Sequence, residues 1–386
     1  SPFNGEAEAI KVEPDKNYDV SLDEMAISQW FSYTPEKDTQ LIYQSMGEED
    51  TYGMLYTADG KLAKYNDDGG ESANFKITER LNAGEIYYFK AMMYSVGSKG
   101  TFQISFTEIP EINAGEENQQ LQVKNGVVDF QFSVEEEAIY QIHANTRFSS
   151  FRLYDESDNR VELSGLSSGY TTYAVLPAGK YRATAKVNLS VTNLKMTVKK
   201  VVLPVELTAY SSQKTLIAGV DALNEDLFSM NVTYENGDSL LVAGRNNDSY
   251  DNRFSYEVEG SRWTIGQTVP VGTYTVKPVA VRTGSAMSKD NQILNNVLKD
   301  SNKRGVTVKS VKPDTSAMTE ISLNDWIVTG KQKGRYFYLF TADESDTYKI
   351  EEKNGLKCDA RFYLEKEDRL DYNGGRITLN QGKTCI

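Results

Sequence analysis

Apolar and polar residues alternate with a period of two in many short segments of the chain. Phe102, Ile104 and Phe106 are separated by polar residues, and residues 129–134 and 194–199 repeat the pattern. Successive side chains of a strand point to opposite faces of a sheet, so the alternation predicts antiparallel strands with one buried face. Asp-Gly and Asn-Gly pairs separate several of these segments, as in hairpin turns. The pattern predicts an all-β protein built of tandem antiparallel β-sandwiches.

One segment departs from this alternation. Ile293, Leu294, Val297 and Leu298 recur at intervals of three and four residues, which places them on one face of a helix. The spacing predicts one short helix over residues 286–300. Its simplest role is to connect two strands and to cover the edge of a sandwich.

A phrase of three parts occurs three times: an aromatic strand, a turn, and a Leu-x-x-Gly step. The strands contain Phe31, Phe130 and Phe340, and the steps begin at Leu81, Leu176 and Leu379. Repetition of this kind indicates tandem modules. A chain of 386 residues also exceeds what one hydrophobic core usually serves.

The repeats divide the chain into four predicted domains. These are the first module (residues 1–109), the second module (110–200), the third module (201–313), which lacks the phrase, and the last module (314–386). The last module is expected to be incomplete at its C-terminal end, because no counterpart of the strand at residues 102–106 follows Gly382. An unpaired sheet edge there would invite strand addition.

Composition and charge exclude several classes of partner. The formal net charge is −13 and the basic residues form no run, which argues against nucleic-acid binding. No stretch approaches 18 uninterrupted apolar residues, so no membrane span is predicted. With 39% apolar and 25% charged residues, the composition is that of a folded globular protein.

The chain begins at Ser1 without Met and contains two cysteines, Cys358 and Cys385. We interpret the start as a mature or recombinant boundary from which any export signal has been removed. The cysteines permit one bridge, whereas their number excludes a scaffold stapled by several disulfides. These features favour a bacterial protein located outside the cell or on its surface.

The repeated phrase resembles the bacterial pre-peptidase C-terminal domain. In the first module the matching elements are residues 30–33, Leu55-Tyr56, the acidic turn at 66–70 and residues 81–88. The second module replaces the acidic turn with residues 164–169, and the last module keeps residues 371–375. The third module is similar to bacterial immunoglobulin-like domains through its hairpin at residues 233–238.

The first resemblance implies export, a jelly-roll-like sandwich and, in some members, binding of calcium or of a polymer. It does not imply catalysis. Asp67 and Asp68, which precede two glycines, and Asp59 in the neighbouring turn are the candidate ligands for Ca²⁺, because this cation takes six to eight oxygen ligands from flexible loops. The alternative is that Asp and Gly are simply the residues that tight turns require.

Most catalytic constellations are excluded because His143 is the one histidine of the chain. Zinc sites with two or more histidines are therefore ruled out. The segment 165–169 matches the nucleophile-elbow pattern around Ser167, but a strand rather than a helix follows it, so we interpret the match as chance. We predict no catalytic residues and no enzyme activity in this chain, although pairs among its 55 acidic residues leave glycoside hydrolysis open.

Aromatic side chains are the better functional signal, since they form stacking platforms for sugars and proteins. The candidates are Trp30, Trp263 and Trp326 together with Tyr52, Tyr65, Tyr170 and Tyr250. Most of them are expected in cores. Trp30 and Trp326 each precede the first strand of a repeat, which predicts a shared packing role.

The sequence therefore predicts a non-catalytic, exported bacterial protein of several modules that recognises an extracellular polysaccharide or protein ligand at the cell surface. The alternative is an accessory targeting or spacer region of a larger secreted peptidase or glycoside hydrolase. The sequence leaves the identity of the ligand and the oligomeric state open.

Overall fold

The computed structural model describes residues 8–164, 169–247, 252–282, 289–328, 334–351, 353 and 359–386. Strands account for 53% of the chain and helix for 5%, which confirms the predicted all-β class. The chain divides into two compact units, residues 1–137 with 141–199 and residues 138–140 with 200–386. Each sheet of the described residues takes its strands from one of the four predicted modules.

The first module is a sandwich of two sheets. Its strands are β1 (Ile10–Lys11), β2 (Lys16–Leu22), β3 (Ser28–Tyr33), β4 (Thr39–Met46), β5 (Thr51–Tyr56), β6 (Leu62–Asn66), β7 (Lys76–Leu81), β8 (Tyr87–Met93) and β9 (Gly100–Glu108). One sheet has the strand order β1-β3-β8-β5-β6 and the other β2-β9-β4-β7. The inward residues of the alternating segments meet between the two sheets and form the core.

The core of the first module is organised around Phe106 of β9. This side chain is fully buried, and its ring centroid lies 5.5 Å from that of Phe31, 5.1 Å from that of Tyr43 and 5.1 Å from that of Phe89. Aromatic contacts at such distances add to the stabilisation from buried apolar area. Since β9 lies between β2 and β4, a strand from the end of the module closes its core.

The second module is one six-stranded sheet. Its strands are β10 (Gln119–Gln122), β11 (Val127–Val134), β12 (Ala138–Tyr154), β13 (Gly169–Leu176), β14 (Gly179–Val187) and β15 (Asn193–Lys200). The order is β10-β15-β12-β14-β11, with β13 paired to β12. A register shift between Phe148 and Ser150 lets the 17-residue β12 change direction. The last strand, β15, lies between β10 and β12, as β9 lies between β2 and β4.

Ion pairs connect the first and the second module. Their nitrogen–oxygen distances are 3.0 Å for Lys64–Asp158, 3.2 Å for Lys76–Asp129 and 3.3 Å for Arg80–Glu156. Arg182 of the second module also contacts Asp158, at 3.1 Å. Burial alone would raise the pKa of Asp158, but the cations Lys64 and Arg182 outweigh it and lower this pKa. These ion pairs therefore depend on ionised carboxylates.

The third module is a second two-sheet sandwich. Its strands are β16 (Pro204–Ser211), β17 (Thr215–Ile217), β18 (Phe228–Tyr234), β19 (Ser239–Ala243), β20 (Asn246–Asn247), β21 (Asn252–Val258), β22 (Gly272–Arg282), β23 (Lys303–Arg304) and β24 (Val306–Val311). The sheets have the orders β19-β18-β16-β23 and β17-β24-β22-β21-β20. Short 3-10 turns occur at Glu225–Leu227 and Asp300–Asn302.

The predicted helix is confirmed as α1 (Lys289–Val297), which buries Leu294 as expected. A polar cluster at the start of α1 joins it to β22. The backbone N–H of Arg282 donates to the Asn291 side chain at 2.9 Å, and the Arg282 Nε lies 3.8 Å from Asp290 Oδ2. Arg282 and Asp290 are each 2% exposed. Removing one partner of a buried ion pair typically costs about 3–5 kcal/mol, so this pair fixes the helix.

The last module has shorter strands. They are β25 (Thr319–Ile321), β26 (Tyr338–Thr341), β27 (Asp346–Lys349), β28 (Tyr363–Glu365), β29 (Leu370–Tyr372), β30 (Arg376–Leu379) and β31 (Thr384–Cys385), and a 3-10 turn precedes them at Thr315–Ala317. The sheets are β25-β26-β31, β27-β30 and β28-β29. Phe340, Tyr348, Phe362, Ile377 and Leu379 form most of its core.

Backbone hydrogen bonds connect the third and the last module. The N–H of Leu370 donates to the carbonyl of Ala218 at 2.9 Å, and the N–H of Val271 donates to the carbonyl of Asp368 at 2.6 Å. Gly219 lies at this contact with a φ of +79°, and a Cβ at this position would lie 1.9 Å from the carbonyl oxygen of Leu370. The close approach therefore requires glycine.

Cys385 is a buried free thiol, and burial raises its pKa to about 11. A thiol in such surroundings is protonated and unreactive at neutral pH. Cys358, the other half of the bridge that the sequence permits, lies outside the described residues.

Candidate binding face

The sheet β3-β8-β5-β6 of the first module carries aromatic side chains on its outward face, where an antiparallel sheet is usually polar. The aromatic residues are Trp30, Tyr52, Tyr56, Tyr65, Tyr88 and Tyr94. Met54, Met92 and Lys90 lie between them. We call these residues together the aromatic face.

Strand register determines which residues reach this face. Phe31 of β3, Phe89 of β8 and Leu55 of β5 lie side by side and point into the core, where each is at most 1% exposed. Because side chains alternate along a strand, the adjacent row must point outward. On one side of the core row, the outward row consists of Trp30, Lys90, Met54 and Tyr65. On the other side, it consists of Ser32, Tyr88, Tyr56 and Leu62.

The rings of the aromatic face contact one another in a chain. The centroids of Tyr52 and Tyr65 lie 5.9 Å apart with an angle of 18° between the ring planes, and Tyr52 lies 6.3 Å from Tyr94. Trp30 and Tyr56 lie 5.2 Å apart. Trp30 is 8% exposed, whereas Tyr65 is 62% and Tyr94 is 53% exposed. The aromatic face thus combines a buried ring, Trp30, with two exposed rings, Tyr65 and Tyr94, each of which contacts Tyr52.

Polar groups of the aromatic face are arranged around these rings. The Lys90 ammonium lies 5.3 Å from the centroid of the Trp30 ring, and the Tyr56 hydroxyl donates to the Met54 sulfur at 3.0 Å. Burial, followed by the charges of Tyr65 and Asp67, raises the pKa of Tyr52. The Tyr52 hydroxyl therefore stays protonated at neutral pH and can donate a hydrogen bond to a ligand.

The acidic turn at residues 66–70 follows β6 at one end of the aromatic face. Asn66, rather than the acids, organises it: the Asn66 Oδ1 accepts the N–H of Gly69 at 2.7 Å and the N–H of Lys76 at 2.9 Å. Asp67 Oδ1 accepts the N–H of Asp68 at 3.0 Å. Asp68 is exposed. These contacts are those of an Asx-stabilised turn.

The structure does not bring Asp59 to Asp67 and Asp68. Asp59 lies in the turn before β6, where its carboxylate accepts the Thr57 hydroxyl at 2.5 Å and the N–H of Lys61 at 3.4 Å. These two donors lower the pKa of Asp59. Five residues of β6 at about 3.3 Å each separate the turns by about 16 Å, too far for one cation. Within the described ranges no group of three acidic, His or Cys side chains forms a metal site, and calcium binding at Asp67 and Asp68 stays a prediction.

The other candidate residues are dispersed. His143 points outward from β12, as predicted, and its Nδ1 lies 2.8 Å from the Thr171 hydroxyl. Tyr170 is exposed on β13 of the second module. Ser167 and Tyr250 lie outside the described residues.

The three tryptophans have different surroundings. Trp30 is buried on the aromatic face, but Trp326 is 59% exposed, with the Lys353 ammonium 4.8 Å from the centroid of its ring. The predicted shared packing role is therefore wrong for Trp326. Trp263 is half-buried beside the guanidinium of Arg262, at 4.8 Å. Among the described candidates, Trp30, Tyr52 and Tyr65 share one surface.

Sequence reasoning named Trp30, Tyr52 and Tyr65 but missed Tyr56, Tyr88 and Tyr94. The signal was present, because residues 52–56 and 88–94 place aromatic or methionine side chains, and Lys90, at alternate positions opposite the core residues. Recognising that these positions share a face requires the pairing of β5 with β8, which lie 31 or more residues apart in the chain.

No family model and no curated protein matches the chain. Among solved structures, the pre-peptidase C-terminal domain of a collagenase from Bacillus anthracis is similar at 14% identity and a TM-score of 0.23, over 26% of this chain and 95% of that domain. A putative secreted protein from Eubacterium rectale is similar at 9% identity and a TM-score of 0.19, over 47% of this chain and 72% of that one. Tripeptidyl peptidase 2 gives 12% identity and a TM-score of 0.19, over 79% of this chain and 31% of that one.

At these TM-scores the similarities carry no argument about function. Across the part of the chain that the structure describes, no helix is both long and apolar enough to cross a membrane.

Proposed function

We propose that this chain is a non-catalytic, exported bacterial recognition protein whose first module binds an extracellular polysaccharide through the aromatic face. One observation carries the proposal: six aromatic side chains lie on the outward side of a single antiparallel sheet, and two of them, Tyr65 and Tyr94, are exposed. Exposed aromatic rings that contact a shared neighbour on a folded domain are typical of an interaction site.

The composition of the face favours a sugar polymer. A sugar ring presents C–H groups on one side and hydroxyls at its rim, and it can stack on an aromatic ring while hydroxyl groups of neighbouring tyrosines bond to its edge. Tyr65 and Tyr94 are exposed, and both lie against Tyr52. Several weak stacking contacts in a row suit a repeating polymer, because each residue of the polymer adds a similar contribution.

In the proposed mechanism the first module holds aromatic rings in fixed positions for a ligand and catalyses no reaction. The rings are fixed before a ligand arrives, since Trp30 and Tyr88 are at most 8% exposed and Tyr65 and Tyr94 each contact Tyr52. Preorganised rings lose little conformational entropy on binding, which increases affinity without additional contacts.

A binding screen of the intact chain tests the proposal. The chain is incubated with an array of polysaccharides, mucins and matrix proteins, in calcium and again in chelator. We expect the unmodified chain to bind at least one polysaccharide saturably. The double variant Tyr65→Ala, Tyr94→Ala should bind that polysaccharide with at least tenfold lower affinity. A Tyr210→Ala variant is the control, because Tyr210 is 51% exposed on the third module. Binding to proteins alone, or equal binding by the double variant, would contradict the proposal.

A further inference from the structure

Lys90 is the single charged residue of the aromatic face, and it lies in the middle of that face. It pairs with Trp30 of β3 on one side and with Met54 of β5 on the other. Its outward neighbours along β8 are Tyr88 and Met92, and the diagonal positions hold serine and tyrosine. All of these neighbours belong to the described residues, and none of them carries a charge that balances Lys90.

Two other strand lysines of the first module have carboxylate partners. The ammonium of Lys64 lies 3.2 Å from Glu79, and that of Lys76 lies 3.2 Å from Asp129. Within the described part of the chain, no carboxylate oxygen lies within 4.0 Å of the Lys90 ammonium, which lies 5.3 Å from the centroid of the Trp30 ring instead. An ammonium has three donors, so Lys90 can donate hydrogen bonds to a ligand.

The isolated charge of Lys90 determines which ligand the aromatic face can cover favourably. Removing a charged group from water is costly unless an opposite charge takes the place of the water. A neutral sugar stacked on the face would cover the Lys90 ammonium without compensating its charge. A carboxylate or a sulfate would instead form a charge-assisted hydrogen bond with it.

The nearest acidic residue of the acidic turn, Asp67, lies too far from Lys90 to neutralise it. Asp67 follows Asn66, which pairs with Gly53, and it is therefore two strands and two residues away from Lys90. With strands about 4.8 Å apart and a rise of about 3.4 Å per residue, this separation is about 12 Å. The Debye length is about 8 Å at physiological ionic strength, so Asp67 is largely screened from an anion held at Lys90.

We propose that the polysaccharide bound by the aromatic face is anionic and that Lys90 receives one of its carboxylate or sulfate groups. This inference rests on the proposed function, since it names the class of polysaccharide. Lys90, Met54 and Tyr65 form one row across three strands, which places Tyr65 about 10 Å from Lys90. A polymer that follows this row places an anionic group at Lys90 and a neighbouring sugar ring on the exposed Tyr65.

Two matched pairs of polysaccharides test the inference. The intact chain is titrated by calorimetry with polygalacturonate and its methyl ester, and with dextran sulfate and dextran. We expect saturable binding of at least one anionic polymer, at least tenfold tighter than that of its neutral partner. Binding of polygalacturonate alone assigns a carboxylate to Lys90, and binding of dextran sulfate alone assigns a sulfate ester. With a net charge of −13, the chain does not attract polyanions non-specifically.

Three variants assign the preference to Lys90. Lys90→Met removes the charge and keeps a side chain of similar length, so we expect at least tenfold weaker binding of the anionic polymer and an unchanged melting temperature. Lys90→Arg keeps the charge and should bind within threefold of the unmodified chain. Lys309→Met is the matched control, because Lys309 is an exposed strand lysine of the third module, and it should bind as the unmodified chain does.

The outcomes separate this inference from the proposed function. Equal affinities for the charged and the neutral member of each pair would overturn this inference alone. So would polysaccharide binding that the double variant Tyr65→Ala, Tyr94→Ala weakens but Lys90→Met leaves unchanged. If no polysaccharide binds saturably, or if the double variant binds as the unmodified chain does, the proposed function fails and this inference fails with it.

Discussion

The first and the last module share one plan of strands and differ in how that plan is filled. Phe31 pairs with Phe89 in the first module, and Phe340 pairs with Cys385 at the corresponding place in the last. In the first module Phe106 packs against both Phe31 and Phe89. The repeated phrase thus specifies where strands run, whereas the ring that joins the core of the first module, Phe106, comes from a strand outside the phrase.

The outward faces differ as much as the cores. Counted from the paired core residues, Leu339 and Glu365 in the last module take the places of Trp30 and Tyr56, while Tyr372 takes the place of Tyr65. Among the described residues of the last module, only the pair Tyr363 and Tyr372 is aromatic at these corresponding positions. The aromatic face of the first module is therefore not a requirement of the strand plan, which supports a role in binding.

The largest effect is expected in the core of the first module. Phe106→Ala removes the ring that joins Phe31, Tyr43 and Phe89, and large-to-small changes of a buried Phe cost about 3–5 kcal/mol. Ile350→Ala, in the last module, should cost less than about 1 kcal/mol, because Ile350 is 38% exposed. Local hydrogen exchange in each module measures both values. Similar costs for the two variants would show that the cores are equally closed.

The second-largest effect is expected from a substitution at the contact between the third and the last module. Gly219→Ala introduces a Cβ against the Leu370 carbonyl and strains a backbone with positive φ, which alone costs about 1–3 kcal/mol. We expect faster amide exchange at Leu370 and Val271. Gly237→Ala is the matched control, since Gly237 has a φ of +88° but no atom within 4 Å of its Cβ position. Equal loss of protection at Leu370 in both variants would assign the effect to strain and not to the contact.

A smaller effect is expected at the acidic turn. Asn66→Ala removes the acceptor of two backbone N–H groups and should destabilise the first module by about 1–2 kcal/mol. Asp68→Asn should change the free energy of unfolding by less than about 0.5 kcal/mol, because Asp68 is exposed. Thermal melting with and without calcium measures both. A calcium-dependent rise in melting temperature that Asp68→Asn abolishes would instead make the acid the organiser of the turn.

The ion pairs between the first and the second module should contribute least. Asp158 is 51% exposed, so solvent screening limits the effect of Asp158→Asn to at most about 1 kcal/mol. The pKa of Asp158 is lowered in the folded chain, so its stabilisation is present above the ordinary carboxyl pKa of about 4 and disappears as the pH falls below it. Chemical unfolding at several pH values should show a loss of at most about this size below pH 4, and less pH dependence in Asp158→Asn. The third and the last module are joined by backbone hydrogen bonds, which do not titrate, so we expect no such pH dependence at their contact.

Much of the fold was predictable because period-two alternation directly reports one buried face. Phe102, Ile104 and Phe106 are all buried on β9, and the apolar stripe through Leu294 forms a helix. The pattern did not reveal that Phe106 is the centre of its core, because its partners lie 17 to 75 residues away in the chain. Such contacts depend on strand order, which alternation does not encode.

The candidate site was predictable only in part, for the same reason. Asp59 and Asp67 are close in sequence, but the extended β6 separates them. Tyr52 and Tyr94 are distant in sequence, but neighbouring strands bring their rings to 6.3 Å. Trp326 was predicted to pack as Trp30 does, yet it is 59% exposed, because the position before a repeated strand does not by itself determine burial.

The most direct test of the aromatic face compares Tyr65→Ala with Tyr372→Ala. The two tyrosines occupy corresponding strand positions and are 62% and 61% exposed, so neither change should unfold its module. Each variant is titrated by calorimetry with the polysaccharide that the screen identifies. We predict that Tyr65→Ala weakens binding at least tenfold, about 1.4 kcal/mol, while Tyr372→Ala leaves it unchanged. Equal affinities for the two variants, or loss in Tyr372→Ala alone, would contradict the assignment of the binding site to the first module.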